Sequence, residues 1–179
     1  MIRNKKGNIK ATLFIIMGLF LLVMIGILMA FGSSIINLTM DTIEPEMIAL
    51  GVVGDFNASE ATDYTVTPVN NFIQSMTWVS GVIYILGLIG IFGVAFAFRT
   101  MGDKWLIGLF FALALILIIG CIFLSNIYED FYDDTGDLGP RLKEHTLLSY
   151  MILYSPAIMS IVVFLAGIIL FSGPEQEGF

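Results

Sequence analysis

The chain has 179 residues, 58% of them hydrophobic and 13% charged, with a mean hydropathy of +0.93. An ordinary globular protein carries roughly 25% charged and about 45–50% apolar residues, so this composition is that of a membrane protein. Eight Lys+Arg against fifteen Asp+Glu give a net charge of −7, carried in blocks between long uncharged runs; this excludes a disordered acidic tail and a nucleic-acid binder. A single cysteine excludes an intramolecular disulfide.

Four stretches free of ionisable residues each hold the roughly 20 apolar residues that cross a bilayer core of about 30 Å. The expected fold is therefore all-α, a single membrane domain built as a four-transmembrane-helix bundle, with spans at about 13–36, 79–98, 105–127 and 147–171. No recurring ten-residue alternation marks barrel strands.

In chain order, Arg3, Lys5, Lys6 and Lys10 precede the first span. That span is about 24 residues long, against about 7–15 for a signal-peptide core, and no small-x-small cleavage site follows, so it reads as uncleaved. Lys5-Lys6-Gly7 resembles the processing site of archaeal prepilins. Thr12 stands where that family has glutamate, and pilins have one helix rather than four, so the tripeptide carries little weight.

The segment 37–76 reads as a long acidic loop with Asp41, Glu44, Glu46, Asp55, Glu60 and Asp63. Its apolar stretch at 47–54 suggests an interfacial hairpin or re-entrant turn, or a cap on the helix ends. Asn57-Ala58-Ser59 is a possible glycosylation sequon, and Asn37-Leu38-Thr39 lies too close to the membrane to be reached. Arg99 and Lys104 flank the short link between spans two and three.

A second loop, 128–146, gathers Glu129, Asp130, Asp133, Asp134 and Asp137, five carboxylates within nine residues. Such a cluster suits a weak cation site or a basic partner, or is a solvated acidic face with a turn at 136–140. It does not match a calcium hand: with Asp130 as first ligand, Tyr132 stands where an oxygen belongs and Gly136 comes one place late.

Six of the eight basic residues fall on one side of the four spans, which predicts cytoplasmic N- and C-termini and both long loops outside. Trp78, Tyr128, Tyr150 and Tyr154 are expected at the outer interface and Trp105 at the inner one. The expected location is a cellular or virion membrane, the plasma membrane first.

Within the spans, small residues recur at helical spacing: Gly26 and Ala30 in the first, Gly87, Gly90 and Gly93 in the second with Gly81 nearby, and Gly108 and Ala112 in the third. Such strips let helix backbones approach closely in lipid. Pro156 should kink the fourth span, with Ser155 and Ser160 available to the freed backbone groups.

The spans contain no ionisable group, which argues against a pump, a proton-coupled transporter or a haem subunit. His145 alone cannot make a zinc or haem site and is expected at the interface, while Cys121 reads as a small buried hydrophobe. No phosphate loop, Ser/His/Asp set or HExxH occurs. No cofactor, metal or nucleic-acid partner is expected.

The leading expectation is a non-catalytic accessory or structural subunit of a larger membrane assembly, in contact with lipid and with other membrane subunits or further copies of itself. The alternative is an oligomeric pore with cation-attracting acidic mouths. A third is a site in the outer loops that uses the Glu129–Asp137 carboxylates with His145.

Overall fold

The computed structural model describes residues 5–99 and 104–173. Arg3 and the C-terminal tail, two parts of the charge asymmetry, lie outside the described residues, as do the side chains of Lys5, Lys6 and Lys104. The chain is helical nearly throughout: α1 (Lys5–Ala49), α2 (Ala58–Ala97), α3 (Lys104–Tyr132), α4 (Leu138–Glu144), α5 (Thr146–Leu153) and α6 (Ser155–Phe171), with two short strands, β1 (Val52–Val53) and β2 (Phe56–Asn57), between α1 and α2.

Among the described residues, three helices are long and apolar enough to cross a membrane, and a fourth span results if α5 and α6 count together. A third or less of the most apolar stretch of each long helix is buried inside the protein. The remaining apolar surface is far more than water tolerates, and a bilayer is the solvent that suits it.

The bundle core is built from one face of each helix. Ile15, Leu19 and Val23 of α1 meet Tyr84, Leu88 and Ile91 of α2, while Phe110, Leu117 and Cys121 of α3 share the core with Met159, Val163 and Ala166 of α6. Helices come close where a side chain is missing. A Cβ on Gly87 would lie 2.5 Å from Leu22, and one on Gly26 would lie 3.0 Å from the Tyr84 ring. Gly81 and Gly167 make the same kind of approach to Leu147 and Phe110. Phe110 also meets Phe171 edge to face, with ring centroids 5.5 Å apart.

The largest departure from the sequence expectation is the segment 37–76, which is helical except for residues 50–57. α1 has 45 residues and α2 has 40, so they run about 67 Å and about 60 Å at 1.5 Å per residue, twice the thickness of a bilayer core. The excess forms an antiparallel helical hairpin at the end of the bundle opposite the N-terminus.

Two features keep these polar residues helical. Hydroxyls bond back to carbonyls one turn earlier, as Thr39 does to Ile35, Thr42 to Leu38 and Thr65 to Ala61, so they do not compete with the helix. Ala58, Thr62, Asn70 and Ile73 form a buried stripe on α2 at helical spacing.

The tip is a tight turn. Val52 pairs with Asn57 and Val53 with Phe56, leaving Gly54 and Asp55 as the central pair. Gly54 has φ +63, a positive value at the first central position that an L side chain resists. The apolar stretch at 47–54 thus ends α1 and enters this turn rather than forming a re-entrant segment.

The second expected loop also shrinks. α3 continues through Glu129 and Asp130 to Tyr132, and α4 begins at Leu138. Gly139 permits the reversal between them, because a Cβ there would lie 2.0 Å from the Asp134 carbonyl oxygen.

The kink expected at Ser155–Pro156 is a full break of the fourth span: the chain bends 74° between α5 and α6 at Tyr154. Pro156 sits in the first turn of α6, where its missing N–H does no harm but bars a continuous helix through Ile152. The Ser125 hydroxyl donates to the Leu153 carbonyl from α3 (2.5 Å), and Ser160 donates to the Pro156 carbonyl (2.7 Å). Ser155, expected to help, is fully buried and bonds nothing among the described residues.

Candidate functional site

Two features stand at the hairpin end of the bundle: the hairpin and a polar cleft at its base. The hairpin is pinned across its width by Glu44, whose carboxylate accepts from the Thr67 hydroxyl and from the Asn70 amide, both at 2.8 Å. Pro45 and Pro68 flank this clamp, one in each helix. Each removes a helical hydrogen bond, so the side-chain clamp reinforces the level at which both backbones are weakest.

Beyond the clamp only two helices are present, and neither can bury more than the face it turns to the other. Ile48, Leu50, Val52, Phe56 and Tyr64 are all exposed, Tyr64 the most at 76%, and Phe72 is exposed just on the bundle side of the clamp. The same hairpin carries Asp41, Glu44, Glu46, Asp55, Glu60 and Asp63, and no Lys, Arg or His between Lys10 and Arg99.

At the hairpin base, α4 folds against α1. The Arg141 guanidinium pairs with the Asp41 carboxylate and ties the two together. Around this pair opens a cleft of about 930 Å³, lined from the hairpin by Asn37, Leu38, Asp41, Gln74 and Thr77. The other wall is Thr135, Gly136, Asp137, Pro140, Arg141 and Glu144. Asn37 is only 5% exposed, and its Oδ1 has no hydrogen-bond partner among the described residues.

Near this end of the bundle lies His145, between α4 and α5. It is 2% exposed rather than a surface interface residue, because α5 folds it back against α1. Nε2 lies 2.9 Å from the Ser33 hydroxyl. That hydroxyl also donates to the Met29 carbonyl, and which ring nitrogen of His145 carries the proton sets the direction of the Ser33 contact.

Burial holds the His145 imidazole below its usual pKa of 6.5, with a hydrogen bond to the Thr77 backbone opposing this as the smaller effect. The unfolded chain therefore takes up a proton near 6.5 that the folded chain refuses. Stability should be flat above about pH 6.5 and fall as the pH drops below it, through the window down to the lowered folded value. Unfolding in lipid nanodiscs at pH 7.5 and 5.5 checks this: the wild-type midpoint drops more on acidification than that of His145→Gln. Equal drops in the two proteins would remove the assignment.

The other residues singled out from the sequence fall in different places. Gly26 and Gly87 lie in helix contacts and Ala30 is fully buried, whereas a Cβ on Gly90, Gly93 or Gly108 would meet open space, and Ala112 is exposed. Glu129, Asp130, Asp133 and Asp134 are exposed. No group of three or more His, Cys, Asp or Glu converges as metal ligands do among the described residues. Of the five carboxylates, Asp137 alone lines the cleft.

Asn57 is exposed and caps α2: its side-chain oxygen accepts from the Glu60 N–H at 3.2 Å. Trp78, Tyr150, Tyr154 and Trp105 are exposed, but Tyr128 is fully buried and bonded to the Ser149 hydroxyl at 2.7 Å. The opposite end of the bundle is closed by Arg99, whose guanidinium donates twice to the Ser172 carbonyl at 2.7 and 3.2 Å.

Asn37, Gln74, Arg141 and Glu144 were not grouped by sequence reasoning, since they come from three separate helices. The available signal was Arg141, one of only two basic residues on the otherwise acidic side.

These features define an all-helical chain with membrane-length spans and a polar, acidic helical projection. Comparison with protein-family models, with curated proteins and with solved structures finds no match.

Proposed function

We propose that the chain is a non-catalytic integral membrane protein, an accessory or structural subunit of a larger membrane assembly, which engages a partner through the helical hairpin of 37–49 and 58–76. The observation that carries this reading is the set of large apolar side chains left uncovered on the hairpin, with Leu50, Val52, Phe56, Tyr64 and Phe72 each more than half exposed beyond the apolar spans. A two-helix projection in water has no third element to cover them, and apolar residues grouped in this way mark an interaction surface.

Charge favours a different protein over a second copy. Hairpins of two copies would bring Glu44, Glu46, Asp55, Glu60 and Asp63 of one against the same five of the other, with no basic residue of the hairpins to balance them, which is repulsive. The partner this surface fits is the extramembrane part of another membrane subunit that presents an apolar face rimmed by Lys or Arg. Lys10 and Arg99 at the opposite end, against the acidic hairpin, support cytoplasmic termini and an external hairpin, with the plasma membrane as the proposed site.

A photo-crosslinking amino acid placed at Phe56 or Tyr64 in native membranes tests the reading, with the lipid-facing Ile116 as control. The expected product is one defined membrane polypeptide joined from the hairpin positions through a basic segment, and lost when Val52 is changed to Ser. Products joined only to lipid, or only to another copy of this chain, would overturn it.

A further inference from the structure

α2 runs unbroken from Ala58 to Ala97, and on a helix of about 3.6 residues per turn, positions three and four apart share a face. One face, stepped in this way from 61 to 97, is uncharged throughout and nowhere buried. It presents Tyr64, Pro68 and Phe72 on the hairpin and Leu86, Gly90 and Gly93 on the span, joined through 75, 79 and 82. The buried residues of the same helix, Asn70, Ile73, Tyr84 and Leu88 among them, lie on the opposite face.

We propose that this stripe seats one helix of the partner subunit, which crosses the bilayer beside α2 and continues past it along the hairpin. The proposal rests on the hairpin reading above and extends the contact into the membrane. Lipid covers the span half of the stripe but not Tyr64 and Phe72, which are 76% and 61% exposed on a two-helix projection. A Gly in a helix costs about 0.5–1 kcal/mol relative to Ala, and a Cβ on Gly90 or Gly93 would meet nothing within 4 Å. Gly81 and Gly87 admit Leu147 and Leu22 of this chain, whereas the space left by Gly90 and Gly93 admits nothing of it. Bare helix backbone facing lipid lets a second helix approach closely. Because both halves share one face, a single helix of about 35 residues covers them together.

Charge sets what that helix carries. Glu60 and Asp63, both exposed, border the hairpin half of the stripe on one side. A second copy of α2 packed in parallel would bring these carboxylates toward their equivalents, which is repulsive. The fitting helix is therefore apolar where it meets Leu86, Gly90 and Gly93, and it places Lys or Arg one turn apart where it meets Glu60 and Asp63.

The test places a photo-crosslinking amino acid in the full chain in native membranes: at Phe72 and Leu86 on the stripe, at Val69 and Phe96 off it, and at Phe56 on the hairpin tip. Val69 and Phe96 are also exposed, on other faces of α2. The same membrane polypeptide is expected from Phe56, Phe72 and Leu86, with only background from Val69 and Phe96. Gly90→Leu/Gly93→Leu should weaken the association about tenfold, read as loss of the Leu86 product. The unfolding midpoint of the isolated chain should not change, since the added side chains meet open space.

A partner joined from Phe56 while Leu86 yields only lipid adducts would overturn the helix along α2 and leave the hairpin reading standing. No partner from any position would overturn both. Equal yields on and off the stripe, products joined only to another copy of this chain, or a Leu86 product unaffected by the glycine replacements would also overturn the proposal.

Discussion

Gly81→Val is expected to destabilise the bundle by about 2 kcal/mol, whereas Gly90→Val in the same helix should change stability by no more than about 0.5 kcal/mol. The two positions differ in what a side chain would meet. A Cβ on Gly81 would lie 2.8 Å from both Cβ and Cγ of Leu147. Cβ is fixed to the backbone, so the clash is relieved only by moving α5 as a whole. Such a movement disturbs Leu148 and Ile152, both fully buried on that helix. A Cβ on Gly90 meets nothing within 4 Å, and a side chain there enters lipid. Steric-trap or denaturant unfolding in bicelles distinguishes the two; equal losses would show that α2 and α5 are not in the close contact described.

The second large effect is expected at Ser149, which links two buried groups. Its hydroxyl donates to the Leu142 carbonyl at 2.7 Å, so the 2.7 Å contact with Tyr128 must have the phenol as donor. Tyr128 and Ser149 are both at least 99% buried, which leaves no water to take the place of a lost partner. Ser149→Ala strands the phenol hydroxyl and weakens the support of the Leu142 carbonyl, a loss of about 2 kcal/mol. Tyr128→Phe removes one donor and leaves the Ser149–Leu142 bond in place, at about 1 kcal/mol. The double variant should cost less than the two single losses added together, because they share one bond. If Ser149→Ala costs no more than Tyr128→Phe, the relay does not fasten α4 and α5 to α3 as described.

The membrane character and the approximate spans were legible because a run of twenty apolar residues has few alternatives. The span ends were not. Asn37, Thr39, Asp41 and Thr42 read as loop residues by propensity, yet they continue α1, since the hydroxyls of Thr39 and Thr42 return to their own helix and Asp41 pairs with Arg141 of α4. Pro45 and Pro68, residues that break most helices, each lie inside a helix beside the Glu44 clamp. Contact across α1 and α2 outweighs local propensity there.

Tyr128 shows the same limit from the other direction. As an aromatic near a span end it matched the pattern of an interface residue, and only the fold of α5 against α3 makes it a core residue with Ser149 as its partner. The cleft could not be read from spacing, because Asn37, Gln74 and Arg141 are brought together by the hairpin and by the reversal at Gly139. The apolar hairpin surface was partly legible in the stretch 47–54, although its position at the tip of a projecting helical pair was not.

The most direct measurement is the native mass of the protein extracted with its surrounding lipid from its own membranes, made on the wild type and on Val52→Ser/Phe56→Ser. The account predicts a complex containing one further membrane subunit, present in the wild type and lost in the variant, with the variant chain still folded and membrane-inserted. A monomer in both samples, or a homo-oligomer of unchanged mass in both, would contradict it.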